Sequence, residues 1–458
     1  MRTYDLNGKL CDALPAALRA DILSGALAPG EKLPSKRRMA EHHGISVNTV
    51  QNAYEQLIAE GYIEARERSG YFVADLPAQL PVVPAKVGGA SAPEKRPLLD
   101  LSANTTDSSR FPFSLWARLM RRTLTEEAEH LLSPLPAAGA PALQEAIAAY
   151  LREGRGISVE PCQIVIGAGT EYLYQLLVQL LGRGRHYGLE NPGHSKVARI
   201  YAMNGVSFSP VDVDENGVDP LTLETFGVDV LQISPNHHFP TGVVTPATRR
   251  RALLRWMQGG DRYIIEDDYD SEFRFAGRPI PPLFGMDTSD RVIYVNTFSK
   301  TIAPSMRISY MVLPRPLLAA YHERLGFYAC SVPAFEQYTL ARFLREGHFE
   351  RHLHRMRTFY RARRDEVIGM LQNAPFAKYI RIKEADAGLH FLLELTVQKT
   401  DAELRELLEK VGIRVAFLGD YRIDGTHPDT RTLVLNYSGV DPEALAQGIR
   451  RLSALTWD

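Results

Sequence analysis

Thr297-Phe298-Ser299-Lys300-Thr301 follows the apolar run Val292-Ile293-Tyr294-Val295, and upstream of it Tyr263-Ile264-Ile265 runs into Glu266-Asp267-Asp268-Tyr269. Each apolar run is short and rich in β-branched residues, so both read as buried strands that deliver a polar group at their exit. A lysine and an acid delivered this way suit one kind of chemistry. The lysine amine condenses with an aldehyde, and the acid holds a proton on a pyridine nitrogen so that the ring draws electrons from the condensed carbon. Pyridoxal 5'-phosphate is the cofactor that needs both. Lys300 is therefore the candidate imine-forming residue and Asp267 the candidate partner of the ring nitrogen, with Tyr269 placed to hydrogen-bond the ring oxygen.

Working outward, Ile164-Val165-Ile166 and Val230-Leu231-Gln232-Ile233 add two more buried runs, with helical stretches between them. That alternation predicts an α/β fold, a parallel-rich sheet with helices on both faces and its crevice at the carboxyl ends of the strands. From about Ser331 to the end, charged helices mix with strands near Leu389–Leu395 and Thr432–Asn436, which predicts a smaller C-terminal α+β lobe. Gly167-Ala168-Gly169-Thr170-Glu171 comes straight after one strand and opens an apolar helix, so Gly169 and Thr170 can present backbone amides to a phosphate. Arg307 and Thr297 can add to that contact. Asn236, in Pro235-Asn236-His237-His238, follows another strand toward the same crevice.

Other readings of these residues carry less weight. Glu266, Asp267, Asp268 and Asp270 resemble a hydrated acidic turn or a divalent-metal site, but the lysine downstream favours the cofactor. Thr297-x-x-Lys300 resembles an acyl-enzyme pattern without its companion motifs. His348, His352 and His354, set among arginines, read as a solvated helix face, and we expect no metal site.

A second set of motifs lies at the other end. Leu14, Leu18 and Ile22 recur at helical spacing up to Ser24-Gly25. Ser35 can cap a second helix reaching about His43, and after Gly44-Ile45-Ser46 a third runs from Val47 to about Glu60. Two short strands, Tyr62–Arg66 and Gly70–Val73, then form a wing. These elements read as a winged helix-turn-helix, in which Ser46, Asn48, Thr49, Gln51 and Asn52 would stand at the start of a recognition helix, with Ser35, Lys36, Arg37 and Arg38 beside it as candidate phosphate anchors and Arg66 and Arg68 on the wing. Double-stranded promoter DNA is the expected partner.

Residues 76–97 hold Pro77, Pro81, Pro84, Pro93 and Pro97 among small residues and read as a semi-extended tether, dividing the chain into domains 1–75 and 98–458. A length of 458 residues suits more than one core, and a net charge of -1 leaves any DNA contact to a local patch. Cys11, Cys162 and Cys330 show no metal or redox spacing, and no apolar run is long enough for a bilayer. We expect a cytoplasmic protein with no disulfide and no membrane contact.

The N-terminal motifs, with Leu33-Pro34-Ser35 and Ala59-Glu60-Gly61-Tyr62-Ile63, resemble the GntR-type winged helix-turn-helix over about residues 10–75. The remainder resembles the fold type I aminotransferases. Together, through Glu190-Asn191-Pro192-Gly193, His238-Phe239-Pro240-Thr241-Gly242, Asp267-Asp268-Tyr269-Asp270-Ser271-Glu272-Phe273-Arg274 and Thr297-Phe298-Ser299-Lys300, the chain resembles the MocR family of bacterial regulators. The resemblance implies a homodimer, and a transcriptional regulator that responds to pyridoxal phosphate or to an amine or amino acid exchanging onto it; an aminotransferase with turnover is the alternative. It also implies two substitutions. His194 stands where the family usually has a tyrosine that stacks on the ring, and Lys196 where members that read γ-aminobutyrate have a carboxylate-binding arginine. A lysine lacks the planar fork of that arginine, so the carboxylate clamp is weakened. Arg431, ahead of Leu433-Val434-Leu435-Asn436, is the other candidate carboxylate contact for such an effector.

Overall fold

A computed structural model describes residues 4, 10–75, 97–103, 107–276, 280–455 and 457. Apart from Pro97, the expected tether lies outside these residues, and so does the Cys11 side chain; Cys162 and Cys330 are free thiols. The chain divides into two units, Met1–Glu94 and Lys95–Asp458.

In the first unit, helices α1 (Leu10–Leu23), α2 (Lys36–His43) and α3 (Val47–Ala59) pack beside an antiparallel hairpin of β1 (Ile63–Arg66) and β2 (Gly70–Val73). Gly44 ends α2 in the left-handed conformation, φ 63°, which lets the chain turn sharply into α3. Leu14, Leu18, Ile22, Met39, Val50, Tyr54 and Leu57 form the core with Ile63 and Val73 of the hairpin. The Tyr54 hydroxyl, inside that core, donates to the Pro34 carbonyl at 3.0 Å and fixes α3 against the turn before α2.

The second unit is built on an eight-stranded sheet. Its order is Ile164–Gly167, Ser309–Val312, Val292–Thr297, Tyr263–Asp267, Val230–Ile233, Tyr187–Asn191, Phe208–Asp214 and Gly217–Val218. Ser309–Val312 is antiparallel to both neighbours and Gly217–Val218 to its one; the rest pair in parallel. Alternate residues feed opposite faces. Ile164, Ile166 and Tyr294 join the core under helices Pro141–Arg155 and Ala334–Arg345, while Val165, Ile293 and Val295 pack beneath Thr170–Leu181, Ser195–Met203 and Pro316–Leu325. Such two-sided burial is why these strands read as unbroken apolar runs.

The C-terminal lobe is a three-stranded antiparallel sheet, Ile380–Lys383, His390–Leu395 and Thr432–Asn436, with a parallel pair joining Leu99–Asp100 to Ile413–Arg414. The long helix His348–Gln372 corrects one expectation. His352 is buried, not solvated, and its Nε2 bonds the Thr301 carbonyl at 2.9 Å, so it pins the segment just after Lys300. No helix among the described residues is long and apolar enough to cross a membrane.

Candidate functional site

Parallel pairing puts the ends of Tyr187–Asn191, Val230–Ile233, Tyr263–Asp267 and Val292–Thr297 on one edge of the sheet. Two successive antiparallel steps bring the end of Ile164–Gly167 to that edge as well, and they start Ser309–Val312 there, with Gly167, Ser309 and Thr297 in one cross-strand row. Arg307 precedes that strand. Groups separated by more than a hundred residues therefore meet around one cavity of about 220 Å³, whose wall includes Thr170, His194, Lys196, Asp267, Tyr269, Thr297, Lys300 and Arg307.

Strand alternation separates the acids that looked like a cluster in sequence. Glu266 turns away from the cavity to the amides of Leu283 and Phe284, at 3.0 and 2.9 Å. Asp268 pairs with Arg155 and accepts from the Tyr294 hydroxyl at 2.6 Å, and Asp270 accepts from His237 Nδ1 at 3.0 Å. Asp267 alone of these four lines the cavity. Its Oδ2 accepts from the Tyr174 hydroxyl at 2.5 Å, whereas its Oδ1 is buried with no hydrogen-bond partner among the described residues. Burial pushes this carboxyl up to about 7, with Asp268 and Asp270 adding to the shift and the Tyr174 hydrogen bond opposing it.

That shift has a consequence for stability. Between the ordinary carboxylate range and about 7 the folded protein holds a proton that the unfolded chain has lost. The stability that Asp267 itself contributes to the cofactor-free protein therefore falls as pH rises through this window, and Asp267→Asn removes that contribution, so the variant's stability falls less, or rises more, with pH than the wild type's. Melting temperature measured from pH ~4 to ~8 for both proteins checks this, and equal slopes would refute it.

Lys300 also lines the cavity, and burial lowers its amine to about 8, Asp270 resisting, so a reactive neutral fraction exists near neutrality. Gly169 caps the helix Thr170–Leu181 with φ 96°, a backbone that disfavours side chains, and a Cβ there would lie 2.2 Å from Arg307 Nη2. Glycine is what lets the guanidinium sit against this turn. Thr297 Oγ1 is tied to Ser309 Oγ at 2.8 Å, while Ser299 Oγ, also in the wall, is buried without a hydrogen-bond partner among the described residues. An open helix start, an arginine and an unmet hydroxyl suit a phosphate; an unmet buried carboxylate oxygen and a lysine in the same wall suit a protonated pyridine ring bearing an aldehyde. Pyridoxal phosphate fits this donor set.

Two expected contacts lie elsewhere. Asn236 is outside the cavity wall: its Oδ1 accepts from the buried Arg250 at 2.8 Å and its Nδ2 donates to Glu266 at 3.3 Å, because its backbone turns it behind the sheet edge. Phe239 takes its place in the wall. Arg431 is likewise absent from the wall; its guanidinium donates to the carbonyls of Lys399 and Gln398, at 3.1 and 3.4 Å, holding a loop of the smaller lobe. Lys196 does line the cavity but is paired with Glu171, which also takes Arg307 at 2.9 Å. His194 stands in the wall, its ring 5.7 Å from that of Phe239. Partial desolvation, then Lys196 and Lys300, holds it below its ordinary value although it reaches solvent.

Tyr174, Ser299, Phe239 and Glu171 were not singled out from sequence. Phe239, Ser299 and Glu171 stand within the motifs that follow strands, so position after a strand is an available signal for them; Tyr174 reads in sequence as one more apolar residue of a helix. The Tyr269 hydroxyl lies 3.3 Å from His237 Nδ1, and the His237 ring is tilted 45° to that of His390, 4.6 Å away, which bonds the Pro240 carbonyl at 3.1 Å.

In the first unit, α3 buries Val50, Ala53, Tyr54 and Leu57, so Asn48, Gln51, Asn52 and Glu55 share the outward face. Gln51 Nε2 donates to Glu55 Oε1 at 2.8 Å. Glu55 thus places an acid on the candidate reading face. Ser35 and Ser46 are N-caps whose hydroxyls accept the amides of Arg38 and Thr49, at 3.4 and 3.0 Å, and Ser46 Oγ also lies 2.8 Å from Thr49 Oγ1. Arg37 and Arg38 are exposed, whereas Lys36 is half-buried with its amine 5.8 Å from the Tyr71 ring. On the wing, Arg66 stacks on Phe72 at 4.5 Å and Arg68, at φ 56°, stands exposed in the hairpin turn.

Comparison with known proteins agrees with this division. Residues 96–452 match the family model for aminotransferase class I and II, and residues 10–73 that for bacterial regulatory proteins of the gntR family. The chain is 36% identical to the uncharacterized HTH-type transcriptional regulator YdeL of Bacillus subtilis, over 99% of this chain and 97% of that one. It is 34% identical to the probable rhizopine catabolism regulatory protein MocR of Rhizobium meliloti, over 95% of this chain and 91% of that one. In fold it is similar to the kynurenine aminotransferase of Pyrococcus horikoshii, with a TM-score of 0.69 at 23% identity over 78% of this chain and 90% of the other.

Proposed function

We propose, from the premise that this chain belongs to the MocR family of HTH-type transcriptional regulators, a gntR-type helix-turn-helix fused to a class I and II aminotransferase domain, that it binds promoter DNA and takes pyridoxal phosphate, or an amine exchanging onto it, as its signal. One observation carries the reading: Lys300, Asp267, the Gly169–Thr170 helix start and Arg307 surround a single cavity. When bound, the cofactor supplies an aldehyde carbon that condenses with primary amines and a ring that withdraws electrons from it.

The chain's own residues do the rest. Lys300, neutral in part at neutral pH, is the attachment point. Asp267, buried and hydrogen-bonded by Tyr174, is the residue that would keep the ring nitrogen protonated. Arg307, Ser299, Thr297 and the helix start would hold the phosphate and Tyr269 the ring oxygen, with His194 and Phe239 in the same wall.

Regulation requires the ligand to favour one arrangement of the DNA-binding arms, and a tenfold preference is worth about 1.4 kcal/mol. The exposed Phe113, Leu132 and Phe327 of the second unit support a homodimer that covers them. The test is retardation of the DNA upstream of its own and neighbouring genes, with and without pyridoxal phosphate. Cofactor-dependent binding is expected; a protein that takes up no cofactor and retards no such DNA overturns the reading. Rapid multiple turnover of amino and keto acids would make it an aminotransferase instead.

A further inference from the structure

We infer that Glu171 determines specificity in this cavity: it takes Lys196 out of play and so selects a primary amine without a carboxylate over an amino acid. The inference rests on the assignment of Lys300 to the aldehyde and Arg307 to the phosphate. The cations among the described wall residues are Lys196, Lys300 and Arg307. With two of them committed, Lys196 is the one left to meet an acid on an incoming ligand. It is already met. Its amine donates to Glu171 Oε1, and Lys196 with Arg307 holds that carboxylate below its ordinary range, hence ionised.

Glu171 is held in place as well as charged. It lies in the first turn of Thr170–Leu181, where the helix start favours a negative charge. Neither remaining candidate for binding an acid replaces Lys196. His194 is held below its ordinary value by partial desolvation and by Lys196 and Lys300, which disfavours its charge, and Arg431 is spent on the Lys399 and Gln398 carbonyls. Val197, Ile200, Phe239 and Ile423 give the wall apolar surface beside its polar groups. An amine with an apolar body finds contacts there, whereas the same amine carrying a carboxylate meets a neutralised lysine and the Glu171 charge.

The test uses the full-length protein loaded with pyridoxal phosphate and three ligands: n-butylamine, norvaline, which adds a carboxylate beside the amine, and δ-aminovalerate, which adds one at the far end. Half-saturation is followed by cofactor absorbance and, separately, by the shift in melting temperature. We expect n-butylamine to act at about tenfold lower concentration than either acid, a moderate effect because Glu171 and Lys196 are partly exposed. Glu171→Gln frees Lys196 and narrows the gap by about that factor. Lys196→Met, which leaves the Glu171 charge without its lysine, widens it.

A loaded wild-type protein that answers either acid at equal or lower concentration overturns the inference alone. So does a Glu171→Gln protein that loads and keeps the wild-type ranking. If Glu171→Gln does not fold, the wild-type ranking and Lys196→Met decide, loss of the preference in Lys196→Met being the contrary result. A wild-type protein that takes up no cofactor overturns the underlying assignment, which is a different failure.

Discussion

Lys300→Ala yields a folded protein that no longer holds pyridoxal phosphate covalently. Borohydride reduction of the loaded wild type fixes the cofactor to the peptide containing Lys300, detected as a mass increase on that peptide; in the variant no peptide gains that mass, and the visible absorbance of the lysine-bound form is gone. The effect is complete because the wall contains one lysine besides Lys300, and Lys196 is held by Glu171. Folding survives because burial already disfavours the Lys300 charge, so removing the amine relieves a desolvation cost. Thr301 and Phe298, which flank it, remain packed in the core, with His352 still bonded to the Thr301 carbonyl. A yellow, reducible Lys300→Ala protein would place the attachment elsewhere and remove the basis of the proposed signal.

The second large effect is on DNA. Replacing Arg37 and Arg38 together by alanine is expected to weaken binding to every duplex and to flatten the dependence of log K on log salt by about 2 per arm, one unit for each lost phosphate contact. Both side chains are exposed on the second helix, and the cores of that helix, Met39 and Ala40, lie on its other side. Stability therefore stays within the small range of surface substitutions. Lys36, leaning on Tyr71, contributes less to the slope. Asn52→Ala differs in kind: it alters which sequences a binding-site selection recovers, since Asn52 stands on the outward face of α3 beside Asn48 and Glu55. An unaltered salt slope in the double variant means that the two arginines are not phosphate anchors.

Much of the site was legible because the chemistry sits at strand exits. Lys300, Asp267, Gly169 and Thr297 each follow an apolar run, and in a two-sided parallel sheet such runs are nearly continuous in sequence. The same logic misplaced Asn236, which also follows a strand, since a strand exit sets the edge but not the direction of the next side chain. Arg431 failed for a related reason. A positive φ of 48° turns its backbone aside, and its guanidinium is used by nearby carbonyls. His352 was taken for a solvated residue among arginines, yet the helix carrying it lays that one position against the segment after Lys300.

Sequence alone determined the two-part construction, the winged arm and the mainly parallel sheet, because helical spacing, capping residues and apolar strand runs are local properties of the chain. It also marked Lys300 and Asp267 as the candidate lysine and acid for an aldehyde cofactor, and both line one cavity. Only the tertiary structure decided who meets whom: that Tyr174 steadies Asp267, that Phe239 rather than Asn236 walls the cavity, and that Glu171 claims Lys196 and Arg307. Those pairings join residues from different strands and helices, and their distances follow from sheet order and helix packing, which no local pattern encodes.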